Sequence, residues 1–246
     1  MLIGIIETGK LSAPLAARHG DYPAMFEALL RRVDPALAFR TWRAVDGEVP
    51  SEPAAADAWL ITGSRHGVYD DLPWIEPLKA FLRAVRAAGR PIIGVCFGHQ
   101  ILAEALGGRA VKSEKGWGVG FQAYRVIRRP GWMEGAPGRV AVHAMHQDQV
   151  VEIPADATVL ATSPFCEYAM LAYGDPEAPD AISVQPHPEF DAGFMRDLIE
   201  LRAGDLIPPE QSRPALASLA RPVDRDEMVR WFVRYLRRAS AARDAA

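Results

Sequence analysis

Cys96 stands between an apolar run, Pro91-Ile92-Ile93-Gly94-Val95, and a helix-like segment, with Gly94 and Gly98 two residues away on either side. A G-x-C-x-G sequence at a strand-to-helix junction is the cysteine form of a nucleophile elbow, a turn so sharp that only hydrogen fits beside the nucleophile. The chemistry it offers is attack by sulfur. A free thiol titrates near ~8.5 and is only a few per cent thiolate at neutral pH, so a nucleophilic cysteine needs help. Ile101, Leu102, Ala105 and Leu106 share one face of the segment Phe97–Leu106, which stops at Gly107-Gly108. Cys96 is therefore expected at a helix N-terminus, where the dipole and free N–H groups favour an anion. The same geometry aims the Phe97 amide at an oxyanion formed on the attacked carbonyl. The Gly63 amide, ending a neighbouring strand, is the candidate second donor.

A base is offered by Gln185-Pro186-His187-Pro188-Glu189, which follows the apolar strand Ala181–Val184. Prolines at 186 and 188 bias the residues before them toward extended backbone, so His187 and Glu189 fall on the same side. Glu189 can then accept from the imidazole Nδ1–H and leave Nε2 to face the thiol. Nucleophile, base and orienting carboxylate would follow in the chain order Cys96, His187, Glu189.

The elements that must hold these groups alternate. Leu2-Ile3-Gly4-Ile5-Ile6-Glu7 is a continuous apolar run, as expected of a strand covered on both faces in a parallel sheet and expected here to be the central one. Helical spacing of Met25, Phe26, Leu29, Leu30 and Val33 follows, then strand candidates at Leu37–Val45 and Ala58–Thr62, and a helix from about Pro73 to Ala88. This order predicts an α/β domain, doubly wound, with a mostly parallel central sheet flanked by helices. Beyond Val111 the short runs Phe121–Ile127, Val140–Ala144, Val159–Thr162 and Tyr168–Tyr173, separated by Gly and Pro, predict an antiparallel β extension of the same domain. Residues 1–203 are expected to form that domain. Residues 204–246 are expected to add an irregular, proline-rich segment to Pro222, then a helix whose stripe of Met228, Trp231, Phe232, Tyr235 and Leu236 packs on it.

Composition excludes several classes. The 246 residues are 49% hydrophobic and 24% charged with a formal net charge of -3, which suits one large globular unit and offers no general attraction for nucleic acid or an acidic membrane. Two cysteines far apart, no signal-like leader and no bilayer-length apolar run predict a cytoplasmic protein with reduced thiols.

Gly94-Val95-Cys96-Phe97-Gly98-His99-Gln100 together with His187-Pro188-Glu189 resembles the class I (triad) glutamine amidotransferase family. Ile61-Thr62-Gly63-Ser64 resembles the family's oxyanion strand, Gly107-Gly108 its post-helix turn, and Met145-His146-Gln147-Asp148 its substrate-side loop. The resemblance covers roughly residues 1–200 and implies a flavodoxin-like class I amidotransferase fold. It also implies that Cys96 attacks the γ-carboxamide of glutamine, His187 shuttles the proton, Glu189 orients His187, and water resolves a γ-glutamyl thioester. Gln100 and the backbone around Met145, His146 and Gln147 would hold the amino-acid end of the substrate, with no cofactor and no metal.

A narrower resemblance is to the stand-alone branch similar to the glutaminase domain of GMP synthase, which includes γ-glutamyl peptidases. It rests on Gly20–Phe26, on the loop Gly63–Ile75 and on the Met-His-Gln-Asp stretch. No ATP-pyrophosphatase module is present, so ammonia would be consumed by a separate synthase, or the enzyme would hydrolyse γ-glutamyl conjugates or peptides on its own account. A catalytically silent binding or regulatory module of the same fold is the remaining reading, and the intact constellation argues against it.

Several residues have plainer readings. Cys166 lacks any elbow and is expected to be structural. His143 and His146 are three residues apart with no third ligand nearby, which does not make a metal site. The side chain of His146 is open between a surface or packing role and a substrate contact. The loop bearing His66, Tyr69 and Asp70 is open between shaping the acceptor side and merely connecting. Arg225, Arg230, Arg234, Arg237 and Arg238 are expected to form a solvated helix face.

Overall fold

A computed structural model describes residues 1–244. The first half alternates as the hydrophobic pattern requires. β1 (Leu2–Ile6) is followed by α1 (Ala13–His19), α2 (Tyr22–Val33) and β2 (Ala38–Trp42). Then come β3 (Ala58–Ile61), α3 (Ile75–Ala87), β4 (Ile92–Val95) and α4 (Phe97–Ala105). The second half is mostly strand: β5 (Arg109–Lys112), β6 (Gly118–Val126), β7 (Arg139–His146), β8 (Asp148–Glu152), β9 (Ala157–Thr162), β10 (Met170–Tyr173) and β11 (Ala181–Val184). Three helices finish the chain: α5 (Ala192–Arg202), α6 (Pro209–Ser218) and α7 (Arg225–Asp244).

Nine strands form one sheet in the order β2-β1-β3-β4-β11-β10-β9-β6-β7. The pairings from β2 through β11 are parallel and those from β11 through β7 antiparallel, so the expected antiparallel extension is present and continues the same sheet. β1 is not the central strand. It lies one place from the edge, and β11 is the middle of the nine. A continuous apolar run reports cover on both faces, which every interior strand has, and does not report rank within the sheet.

Period-2 alternation distributes the strand side chains between two layers. Ile3, Ile5, Ala58, Leu60, Ile93 and Val95 pack on the face covered by α2 and α7. Ile6, Trp59, Ile61 and Ile92 pack on the opposite face under α3 and α4. A third cluster, built from α1, α5 and α6 with Val119 and Met145, caps the region beside the strand ends. Asp caps start two of these helices, Asp21 accepting from the Ala24 amide at 2.8 Å and Asp191 from the Phe194 amide at 2.8 Å.

Two parts of the chain depart from the sequence reading. β5 and β8 pair as a separate two-stranded sheet, and neither run is apolar enough to announce itself. The segment after residue 204 is not irregular throughout, because Pro209–Ser218 is helical. Its prolines mislead: Pro209 occupies the first turn, where the missing N–H costs nothing, and only Pro214 lies in the interior. The apolar stripe of α7 is buried as its spacing predicts, and the Tyr235 hydroxyl accepts from the Ile92 amide at 3.2 Å and donates to the Asp180 carbonyl at 2.9 Å. No helix among the described residues is long and apolar enough to cross a membrane.

What the fold does for chemistry follows from register. Ile61 pairs with Gly94, and Val95 pairs with Val184, so β3, β4 and β11 end side by side. Cys96 lies one residue, Gly63 two and His187 three residues beyond those ends. Open α/β sheets bind their ligands at the carboxyl ends of parallel strands for this reason.

Candidate active site

Cys96 has φ 54° and ψ -102° and is the only non-glycine residue with positive φ among the described residues. Such a conformation costs on the order of 1–3 kcal/mol and persists only where the surroundings hold it. Here the Cys96 amide donates to the Val184 carbonyl at 2.9 Å, and its carbonyl accepts from Gln100 at 3.1 Å. The flanking glycines are explained by close approach. A Cβ on Gly94 would stand 2.4 Å from the Gly98 carbonyl oxygen, and one on Gly98 would stand 2.4 Å from the Ile61 carbonyl oxygen. Strand β4, the first turn of α4 and the end of β3 are therefore in backbone contact, which turns the elbow sharply and lifts the cysteine clear of the sheet.

His187 and Glu189 are both buried, and their Nδ1 and Oε1 atoms are 2.7 Å apart. The Cys96 side chain also acts on the imidazole electrostatically. Its plane is fixed from below by Phe190, stacked at 4.0 Å with an interplanar angle of 8°, and its backbone amide donates to the His143 carbonyl at 2.8 Å. Burial alone would discharge the imidazolium, but the Glu189 carboxylate and the Cys96 sulfur outweigh it and raise the His187 pKa to about 10. A histidine raised above its ordinary 6.5 stabilises the fold fully below that value, and the contribution is lost as pH rises through about 10. Glu189→Gln removes the opposing charge and leaves burial in command. The His187 titration, followed by NMR, is expected to fall by about one unit or more. An unchanged titration would show that Glu189 does not set the charge state of His187.

The remaining sequence candidates gather around this pair. A Cβ on Gly63 would lie 2.7 Å from His187 Cε1 and 3.7 Å from Cys96 Cβ, so glycine is required for the imidazole to sit where it does. Among the described residues neither the Gly63 nor the Phe97 amide has a hydrogen-bond partner, and both border Cys96. Gln100, Met145, His146 and Gln147 line one cavity of about 550 Å³ with Cys96. The Gln100 amide nitrogen is already committed, donating to the Asp148 carbonyl at 2.9 Å and to Gln185 Oε1 at 3.2 Å.

His146 is buried, with Nδ1 3.1 Å from the Asp148 carbonyl and its ring edge-on to Phe165. Burial pulls its pKa down to about 4, so it is a neutral imidazole in the cavity wall and not a surface residue. Cys166 is buried and its thiol is pushed up to about 12 by burial, which suits an inert core residue. No group of three or more His, Cys, Asp or Glu side chains among the described residues could hold a metal ion.

One contributor has no signature in the sequence. Arg225 does not belong to a solvated face. It is half-buried, and it donates from Nε to the Pro188 carbonyl at 3.0 Å and from a terminal nitrogen to the Glu189 carbonyl at 3.2 Å. Beside it the Asp224 carboxylate accepts from the Ala141 amide at 2.8 Å, tying the start of α7 to β7. Arg230, Arg234, Arg237 and Arg238 are exposed, as a solvated face requires, and the first three also meet Glu227, the Glu134 carbonyl and Asp34. Spacing along a helix shows a polar face, but not the loop that face will meet.

Residues 41–200 match the family model for class I glutamine amidotransferases. The chain belongs to the class I glutamine amidotransferase family. Among curated relatives of this amidotransferase, γ-glutamyl peptidase 4 of Arabidopsis thaliana is 29% identical over 189 residues, which is 74% of this chain and 73% of the relative. One subunit of the glutamine-hydrolysing GMP synthase of Methanopyrus kandleri is 34% identical over 104 residues, 40% of this chain and 51% of the relative. A glutamine amidotransferase crystal structure from Thermotoga maritima superposes with a TM-score of 0.74, covering 98% of each chain at 21% identity, and supports the fold.

Proposed function

We propose that this amidotransferase hydrolyses γ-glutamyl amide bonds by covalent catalysis, with Cys96 as nucleophile, His187 as general base and acid, and Glu189 as the group that orients His187. The observation that carries this reading is the 2.7 Å His187–Glu189 pair facing the elbow cysteine. Sulfur attacks the γ-carbonyl, and the oxyanion is received by the Gly63 and Phe97 amides, donors each worth about 10²–10³ in turnover where such groups have been removed. The C–N bond breaks as His187 delivers a proton to the departing nitrogen, leaving a γ-glutamyl thioester and a free amine. His187 then takes a proton from water, which attacks the thioester, and glutamate leaves with the thiol restored. Residues 1–203 form the catalytic unit on this reading, Gln100 braces the Asp148 carbonyl, and the backbone at Met145, His146 and Gln147 receives the amino-acid end. The compartment that suits this chemistry and the reduced thiols is the cytoplasm.

A glutamine-derived electrophile tests the site directly. It is expected to modify Cys96 rapidly at neutral pH and Cys166 hardly at all, read by mass spectrometry of the digested protein. Equal reaction of both thiols would count against a catalytic Cys96.

Similarity to the GMP synthase of Methanopyrus kandleri favours a second use of the same chemistry, the delivery of ammonia to a separate synthase. Hydrolysis of glutamine that appears only when a partner protein is added would select it. Steady hydrolysis of γ-glutamyl dipeptides by the isolated chain would select the independent hydrolase, which the similarity to γ-glutamyl peptidase 4 favours.

A further inference from the structure

The cavity at Cys96 is larger than glutamine needs. At about 550 Å³ it lies within the range of roughly 300–1,000 Å³ that accepts ligands of drug size. Its walls rise beyond the triad, on the loop after β3 and on the segment that follows α5.

Four cationic side chains face this space: Lys10, Arg65, Lys112 and Arg202. Lys10 is spent on Asp46 at 2.6 Å, and Lys112 is an exposed side chain whose strand position is opposite Asp148 in the β5–β8 register, with no ion pair among the described residues. The side chains of Arg65 and Arg202 have neither an ion-pair nor a hydrogen-bond partner among the described residues. The acids on the wall are otherwise occupied, Asp70 by the Gly67 amide at 3.0 Å and by His66, Asp148 by the Tyr69 hydroxyl at 2.8 Å. Asp205, on the exposed rim, is the exception.

The two arginines are carried on braced backbone. Ser64, immediately before Arg65, donates from Oγ to the Thr8 carbonyl at 2.7 Å and accepts from the His66 amide at 3.1 Å. Arg202 ends α5, and its carbonyl accepts from Leu206 at 3.0 Å and from Ile207 at 2.9 Å. Tyr22 lines the same cavity and is stacked on Phe190, which is stacked on His187. Arg65, Arg202, Tyr22 and Cys96 all line this one cavity, which puts both guanidinium groups on the same space as the proposed nucleophile.

We propose that Arg65 and Arg202 form an anion subsite for the leaving group, so that the preferred substrates are γ-glutamyl amides of carboxylate-bearing amines, such as amino acids and short peptides. This rests on the γ-glutamyl hydrolase reading and narrows it. The nitrogen released at Cys96 then belongs to an amine whose carboxylate is gripped by planar, permanently charged donors, the geometry guanidinium groups serve best.

The test compares kcat/KM for a γ-glutamyl dipeptide with a free C-terminal carboxylate, the same dipeptide capped as its amide, a γ-glutamyl diamine, and glutamine. The free acid is expected to exceed the capped form by roughly 10- to 100-fold, the value of a charge-assisted contact, with the diamine lowest. In the Arg65→Gln/Arg202→Gln double variant the acid-to-amide ratio is expected to fall to about one, and Asp205→Asn is expected to raise it. Both substrates are read in one sample, so loss of folded enzyme cancels from the ratio. Equal rates for acid and amide in the unaltered protein, or a preference that survives the double variant, would overturn the subsite alone. Failure of all four compounds to be hydrolysed would overturn the hydrolase reading with it.

Discussion

Cys96→Ser is expected to lose γ-glutamyl hydrolysis by about 10⁴-fold or more while its melting temperature stays close to that of the unaltered protein. The magnitude follows from what is removed. Knocking out a nucleophile that works as one unit with its base costs on the order of the whole covalent contribution, and only binding and oxyanion stabilisation remain. The fold survives because serine has nearly the shape of cysteine and meets the same φ of 54°. The backbone bonds from Val184 and Gln100 that hold this residue do not involve its side chain. Released glutamate reads the first quantity and thermal unfolding the second. Normal turnover in the variant would exclude the thioester route altogether.

Gly94→Ala is expected to act on the opposite side of that separation, removing stability and activity together. The new methyl would meet the Gly98 carbonyl oxygen at 2.4 Å, the Gly98 carbonyl carbon at 2.7 Å and the His99 amide at 3.0 Å. All three are main-chain atoms in the first turn of α4, and none can step aside as a flexible side chain would. Overpacking of this kind costs about 1–3 kcal/mol and more where backbone must shift. Relief here means lifting α4 off β4, which moves Cys96 and the Phe97 amide together. Gly89→Ala provides the scale: Gly89 has φ 63° but nothing within 4 Å of its Cβ position, so only the local conformational penalty applies. Urea unfolding should place Gly94→Ala well below Gly89→Ala. The reverse order would mean that the elbow is not held by backbone contact.

Local signals carried well and distant ones did not. The extent of β11, Ala181–Val184, agrees with the apolar run in the sequence, and α4 with its GlyGly stop agrees within a residue, because burial on both faces and helix punctuation are written into adjacent residues. The fold class and the antiparallel extension follow from the same alternation. The rank of β1 in the sheet, the β5–β8 ribbon and the helix over Pro209–Ser218 do not, since each depends on a neighbour far away in sequence or on where in a helix a proline falls. At the candidate site the candidate nucleophile, base and carboxylate were all legible from spacing. Arg225 was not, because its partners lie 36 and 37 residues earlier and only tertiary packing brings them together.

Among the described residues, the middle strand of the nine follows the other eight in chain order. β11 slots between β4 and β10, so until it is in place the parallel and antiparallel halves are not joined as one sheet. It also leads directly into the turn that carries His187. On the proposed mechanism, a molecule still assembling holds its nucleophile without its base. Such late, long-range pairing makes for slow folding, and on the proposed mechanism completion of the sheet and arming of the thiol are one event.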